Sequence, residues 1–304
     1  MKDKTIIITG CSGFIGRNLC KYLNDEYYII GYDKENPHPK FSRYIDRFIN
    51  RDITEELLNH NDIYAVIHLA ARAGVRGSRE NFESYVKDNV IGTYKIIEKC
   101  INQWKPKKIL LASSSSIYGD RSGDMKETHI YNPKSPYAMS KVSMEQLVKS
   151  YKNNKLLDCE VCNMRIFTVY GPHQRDGLAI HNFIDSALKD KELTVYGDGN
   201  QKRDFTYIND LCKAISMLLR KEKLPFILNM GYGSKVSINE VLDIISKYLD
   251  KELKIIHEKK NRYDVYQTIS NTRLFHRTLL NLKQDTKIKD GIIKQIEQMK
   301  GDII

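Results

Sequence analysis

The strand-like run Thr5–Thr9 and the glycines after it, Gly10-Cys11-Ser12-Gly13-Phe14-Ile15-Gly16, constrain this chain more than any other stretch. Thr5–Thr9 is short, apolar and β-branched, the composition of a parallel strand buried on both faces. Phe14, Ile15, Leu19 and Leu23 then recur at helical spacing. Three glycines therefore lie between a strand and a helix. Gly10 permits the tight turn, Gly13 opens the helix N-terminus to a pyrophosphate, and Gly16 lets helix and strand pack closely. A second apolar run, residues 27–32, ends at Asp33, 20 residues after Gly13 (33 − 13). A carboxylate there suits a ribose diol and repels a 2′-phosphate, which favours NAD over NADP.

The alternation of strand and helix continues. Residues 34–47 read as a loop broken by Pro37 and Pro39. A third short strand ends at Arg51-Asp52-Ile53, where Asp52 is placed to meet an adenine edge. Residues 64–69 form a fourth strand running into Ala70-Ala71, small residues that let main chain pass close to a dinucleotide. Phe82, Tyr85, Val86, Val90, Ile97 and Ile101 mark a long amphipathic helix. Asn89 inside that stripe is either a satisfied core amide or a group that positions backbone near a site. Residues 108–112 form a fifth strand leading into Ser113-Ser114-Ser115-Ser116. This order predicts an α/β fold with a doubly wound parallel (Rossmann) sheet, whose ligands bind beyond the carboxyl ends of the strands.

A pair of chemical interest follows in Ser135-Pro136-Tyr137-Ala138-Met139-Ser140-Lys141. On a helix, Tyr137 and Lys141 share one face. A free phenol titrates near about 10, and a neighbouring ammonium favours its phenolate. The pair alone arises often by chance. Placed on the helix after the fifth strand, it faces the crevice of the glycine turn, Asp33 and the serine run.

The chain has 304 residues, enough for such a sheet and a second lobe. The expected division is an NAD-binding domain over 1–170, to which 203–230 returns, and a smaller C-terminal substrate-binding lobe over 171–202 and 231–304. Ala179–Leu188, 211–219, Ile238–Leu249 and 288–299 read as helices of the second half, with Leu193–Tyr196 a short strand. The net charge is +11 (49 − 38), but the basic residues are scattered and no tract of five occurs. That argues against nucleic acid and suits a small polyphosphate ligand. No apolar run approaches the roughly 18 residues that span a membrane, and the N-terminus lacks a secretory pattern, so a cytoplasmic protein is expected. Of the six cysteines, Cys159 and Cys162 fall on a predicted strand (159–167) and would point to opposite faces. Free thiols and no metal site are expected.

Taken together, these motifs resemble the extended short-chain dehydrogenase/reductases, the NAD-dependent nucleotide-sugar epimerase/dehydratase family, over nearly the whole chain. The resemblance implies a catalytic set of Ser114, Tyr137 and Lys141. It implies NAD contacts from Gly10, Gly13, Phe14, Ile15, Gly16, Asp33, Asp52, Ile53, Leu69, Ala70, Ala71 and Asn89, as well as Tyr137 and Lys141. Dehydratases of the family carry Asp-Glu after the catalytic Ser or Thr, and decarboxylases carry a Glu. Ser115 and Ser116 stand there instead, which disfavours both and suits 4-epimerisation. The segments 71–76 and 163–172 look most like UDP-glucuronate 4-epimerases. Thr168 stands where UDP-glucose 4-epimerases generally have Asn; with Ser113, Ser114 and Ser115 it would make a cluster of hydroxyls suited to a C6 carboxylate. UDP-glucose and UDP-N-acetylglucosamine are the alternative substrates, and a nucleotide-sugar dehydratase or reductase of the same family is the alternative activity. Arg76, Ser115, Thr168, Arg203 and Arg262 are implied substrate contacts, the last two at the diphosphate, where Arg offers a planar fork. A lone Arg at such a position also serves as a surface ion-pair partner. Arg72, Gly77, His173-Gln174-Arg175 and Tyr263 depart from the family's pattern. A homodimer through residues 81–102 and 136–152 is implied as well.

Overall fold

A computed structural model describes residues 2–303 apart from 76, 260–264 and 281. The chain divides into two compact units. The first comprises Met1–Gly119, His129–Ile166 and Cys212–Leu228; the second comprises Asp120–Thr128, Phe167–Leu211 and Asn229–Ile304.

The first unit is built on a doubly wound sheet. Its strands are β1 (Thr5–Thr9), β2 (Tyr28–Asp33), β3 (Arg47–Asn50), β4 (Ile63–His68), β5 (Lys108–Ser114) and β6 (Glu160–Ile166), with Ile227–Met230 as a seventh. In space the order is Ile227–Met230, β6, β5, β4, β1, β2, β3. The pairings from β3 to β6 are parallel. The chain winds one way from β1 to β3 and the other way through β4, β5 and β6, so the order reverses beside β1. Ile6, Ile7 and Ile8 are wholly buried because the sheet is covered on both faces. One face packs Ile7, Ile30, Val66, Ile109 and Leu111 against Ile96, Ile97, Trp104, Met144 and Val148 from the helical segments. Each such aliphatic side chain contributes roughly 1.5–3 kcal/mol on burial. Register aligns Thr9 with Tyr32 and His68, and Ser114 with Ile166. Chemistry-bearing residues thus collect at the carboxyl ends.

Local departures from expectation have local causes. β3 stops at Asn50, because at Asp52 the chain turns: Thr54 N–H and Oγ1–H both donate to its Oδ1. Pro39 does not break the 34–47 loop but starts a one-turn helix, Pro39–Ser42, at whose first position it loses no hydrogen bond. The long helix over 82–104 contains two π-helical turns, Val86–Ile91 and Cys100–Trp104, and the first holds Asn89.

The second unit uses short sheets. Thr168–Tyr170 pairs in parallel with Phe205–Tyr207. Lys202–Arg203 lies between Val236–Ser237 and Gln267–Thr268. Leu193–Tyr196 pairs with Ile255–Glu258. Helix Ile238–Leu249 starts on a capping box, Ser237 with Glu240. The units depart from the division read in the sequence, most at two places. Residues 120–128 belong here, since Met125 bridges to Ser270 and its N–H donates to the Ile269 carbonyl. The segment returning to the first unit begins at Cys212 rather than 203, because Asp204 and Asp210 are tied to 232–234, 270 and 286. The helix there runs Ile208–Arg220, and the C-terminal helix Ile288–Ile303, both longer than expected.

Candidate active site

At the glycine turn the backbone requirements are explicit. Gly10 has φ +71°, and a Cβ there would lie 2.7 Å from the Ala70 nitrogen. A Cβ on Gly16 would come within 2.0 Å of the Gly10 carbonyl. Neither position admits a side chain. Gly13 is exposed and starts helix Phe14–Leu23 with no side-chain cap, so the first N–H groups of that helix remain available to an anion. Asp33 ends β2 beside this turn. Its Oδ2 accepts from Ser12 N–H at 2.9 Å and its Oδ1 from Glu35 N–H at 3.1 Å, which fixes the carboxylate with lone pairs to spare. Burial pushes its carboxyl above the ordinary range, and those backbone N–H groups oppose the rise. Uncapped N–H groups, a close-packed Gly10–Ala70 contact and an anchored acid fit an NAD pyrophosphate and ribose. Phe14 is buried and Ile15 half-buried in the same turn.

Other implied cofactor residues divide by what they can offer. Ala70 N–H donates to Thr9 Oγ1 at 3.2 Å, holding the β4 end against β1. Leu69 and Ala71 flank it, half-buried. Ile53 is a core residue packed against Gly92, whose hypothetical Cβ would lie 2.5 Å from Ile53 Cδ1. The Ile53 side chain is buried in the core. Asn89 is 1% exposed, and its side-chain amide is hydrogen-bonded on both sides. Its Oδ1 accepts from Arg72 N–H at 2.7 Å, and its Nδ2 donates to the Arg72 carbonyl and to Ser140 Oγ at 2.8 Å.

Helix Pro136–Asn153 carries the Tyr/Lys pair. Ser135 caps it by accepting from Ala138 N–H, and Pro136 occupies its first position. Lys141 is 3% exposed and donates from Nζ to the Ala112 carbonyl at 2.7 Å, two residues before Ser114. Burial lowers its pKa to about 8, opposed by Glu145. Tyr137 is half-buried; its ring meets that of Tyr85 edge-on at 6.1 Å, and Tyr85 is anchored through its hydroxyl to the Gly74 carbonyl. Ser114 ends β5 half-buried, its Oγ accepting from Ser116 N–H and Oγ–H at 3.2 and 2.9 Å.

Ser113 does not join a hydroxyl cluster with Ser114 and Ser115. Consecutive strand residues face opposite ways, and Ser113 Oγ donates to Glu145 inside the core. That carboxylate also accepts from Tyr131 Oη at 2.9 Å and from Arg165 Nε and NH2, the latter at 2.8 Å. Arg165 in turn donates to Tyr118 Oη at 2.8 Å. Arg165 and Glu145 are 1% and 0% exposed at their side chains. Sequence reading missed this network. Its signal was available: Glu145 lies four residues after Lys141, on the helix's buried stripe.

In the second unit, Thr168 is half-buried and its N–H donates to the Asp204 carbonyl at 3.1 Å. Arg203 donates from NH1 to the Lys202 and Tyr266 carbonyls and from NH2 to the Val265 carbonyl. It ties residues 265–266, just before the strand Gln267–Thr268, to its own strand. Ser115 of the first unit is 8% exposed. Arg76 and Arg262 lie outside the described residues.

Fold and site define a dinucleotide-dependent enzyme of the doubly wound class. Residues 6–231 match the family described as NAD dependent epimerase/dehydratase. A UDP-glucuronate 4-epimerase of Thermodesulfobacterium geofontis is 33% identical over 98% of this chain and 96% of its own. MoeE5 in complex with UDP-glucuronic acid and NAD superposes with a TM-score of 0.91 at 31% identity, over 98% and 99% of the two chains. The UDP-glucuronic acid 4-epimerase of Bacillus cereus, in complex with UDP-glucuronic acid and NAD, gives 0.88 at 33%, over 98% and 99%. The chain belongs to the NAD-dependent epimerase/dehydratase family, as an NAD-dependent nucleotide-sugar epimerase.

Proposed function

We propose that the enzyme is a UDP-sugar 4-epimerase whose favoured substrate is UDP-glucuronate, interconverted with UDP-galacturonate. The observation that carries this reading is the chemistry after Ser114. Ser115 is buried and Ser116 donates to Ser114, so no carboxylate stands there to expel a hydroxyl from a 4-keto sugar. Glu145, beneath Ser113, has both oxygens engaged as acceptors by Arg165, Ser113 and Tyr131.

NAD, held by the Gly10–Gly16 turn and Asp33, would supply a reversible hydride acceptor for C4 of the sugar. Tyr137 as phenolate removes the 4-hydroxyl proton, and Ser114 hydrogen-bonds the C4 oxygen. The Lys141 ammonium stabilises that phenolate. The ketone turns over about its phosphate link and Tyr137 gives the proton back, so no net oxidation results. Thr168 and Ser115 are assigned to the C6 carboxylate, Arg203 and Arg262 to the diphosphate, and Arg76 to substrate binding. Exposed Phe82, Ile91, Tyr94 and Met139 on the 82–104 and 136–153 helices support a homodimer through these faces. Among the described residues no helix is long and apolar enough to cross a membrane; a cytoplasmic location is part of the proposal.

The test is a panel of UDP- and TDP-sugars read by mass and NMR. Unchanged mass with inversion at C4, fastest for UDP-glucuronate, is expected; loss of water or carbon dioxide overturns the reading. Tyr137→Phe should lower turnover about 10²–10⁴-fold, and retention of more than about 1% refutes Tyr137 as the base.

A further inference from the structure

A line of buried hydrogen bonds runs through the first unit from the glycine turn to the helix of Tyr137. Ala70 N–H donates to Thr9 Oγ1. Thr9 Oγ1 lies 2.7 Å from His68 Nδ1, and His68 Nε2 lies 3.1 Å from Thr93 Oγ1. Thr93 Oγ1 donates to the Asn89 carbonyl at 2.6 Å. Thr9, His68, Thr93 and Asn89 are each 2% exposed or less.

Counting protons settles their direction. A hydroxyl has one proton to give. Thr93 gives its own to Asn89, so toward His68 it can only accept, and Nε2 carries the imidazole proton. With a neutral ring, Nδ1 is then bare and accepts from Thr9. The Thr9 oxygen keeps a lone pair for Ala70 N–H. Every proton in the line has one acceptor. A doubly protonated ring would turn Nδ1–H onto Thr9 and displace the hydroxyl proton now placed there. Burial, and then the charge of Lys141, hold the imidazole neutral, down to about 3.

Each end of the line touches a part of the site. Ala70 is the residue against which Gly10 packs. At the other end the Asn89 side chain donates to Ser140 Oγ, which donates to the Tyr137 carbonyl at 2.7 Å. We propose that His68, fixed as the Nε2–H tautomer, is a positioning residue that locks the β1 and β4 ends bearing the cofactor turn to the helical turn bearing Tyr137. What it sets is the placement of base against cofactor. This rests on the reading of Tyr137 given above.

Two measurements on the full-length protein decide it. Nitrogen-15 NMR of histidine-labelled enzyme should show one ring as the neutral Nε2–H form throughout pH 5.5–8.5, lost in His68→Gln. If the ring whose signal is lost in His68→Gln titrates there, or carries its proton on Nδ1, the proposal is overturned whatever the catalytic role of Tyr137. Secondly, His68→Leu should lower kcat by up to about 10²-fold, the scale of an ångström-sized misplacement, with KM for the sugar unchanged. His68→Gln, whose amide can both accept from Thr9 and donate to Thr93, should recover most of kcat. A merely structural residue would lower thermal stability in both variants and leave kcat alike, and that result refutes positioning. Activity surviving in Tyr137→Phe would sink the assignment of the base and leave the tautomer result standing.

Discussion

The two units hold their working backbone by different means. In the first, strand ends are aligned by a regular sheet, and the polar groups within it are joined in lines: Glu145 with Arg165, and Thr9 with His68, Thr93 and Asn89. In the second, single buried side chains organise irregular loops. Asp204, 0% exposed, accepts from the N–H groups of Tyr232, Gly233, Ser234 and Ser270 and from the hydroxyls of Ser234 and Ser270. Gln295, also 0% exposed, accepts from Gly171 N–H and donates to Gln174, which accepts in turn from His181 N–H. A repeating sheet satisfies its backbone internally, so its buried side chains are free to tune the site. Irregular loops have no ladder, so a side chain must supply the missing acceptor.

The contrast can be broken most forcefully at the charged pair of the first unit. Arg165→Met leaves Glu145 buried without its cation and should cost about 3–5 kcal/mol in urea unfolding. Glu145→Leu combined with Arg165→Met should recover much of that loss, since an apolar pair needs no desolvation. If the double variant is no better than the single one, the network does more than neutralise charge.

Asp204→Asn comes next. It keeps shape but turns one oxygen into a donor facing donors, at a cost of roughly 1.5–3 kcal/mol. Hydrogen exchange should rise in residues 231–234 and 268–270 and stay unchanged in β1, β4 and β5. Loss of protection in those strands would mean that the two units are not independently held.

The smallest effect is a slope. His68 has its folded pKa lowered to about 3, below the unfolded value near about 6.5. Between these limits the unfolded chain binds the extra proton, so stability falls as pH drops, by at most about 1.4 kcal/mol per pH unit. His68→Gln should remove that portion of the acid sensitivity. An unchanged stability profile between pH 7 and 4 would show that the ring charges without cost.

Legibility in the sequence followed the range of the interaction. Gly10, Gly16 and Asp33 were readable because a tight turn and a strand end impose their demands within a few residues. The capping Ser135 and the shared face of Tyr137 and Lys141 were readable for the same reason. Ser113 was misplaced although the period of two along β5 separates it from Ser114. The partner that claims it, Glu145, lies 32 residues on (145 − 113). Asp204 was overlooked beside Arg203 because its six donors come from two distant loops.

The sequence by itself determined the kind of sheet, the glycine turn that fits NAD, and the helix that carries Tyr137 and Lys141. Periodicity and turn chemistry are local, and they survive any packing consistent with the fold. Only the tertiary structure decided which polar residues are committed to the interior. Ser113 went to Glu145, His68 to two threonines, and Asp204 to the backbone of two loops. A buried polar group takes the partners that packing delivers, and leaving it without them costs about 1–3 kcal/mol.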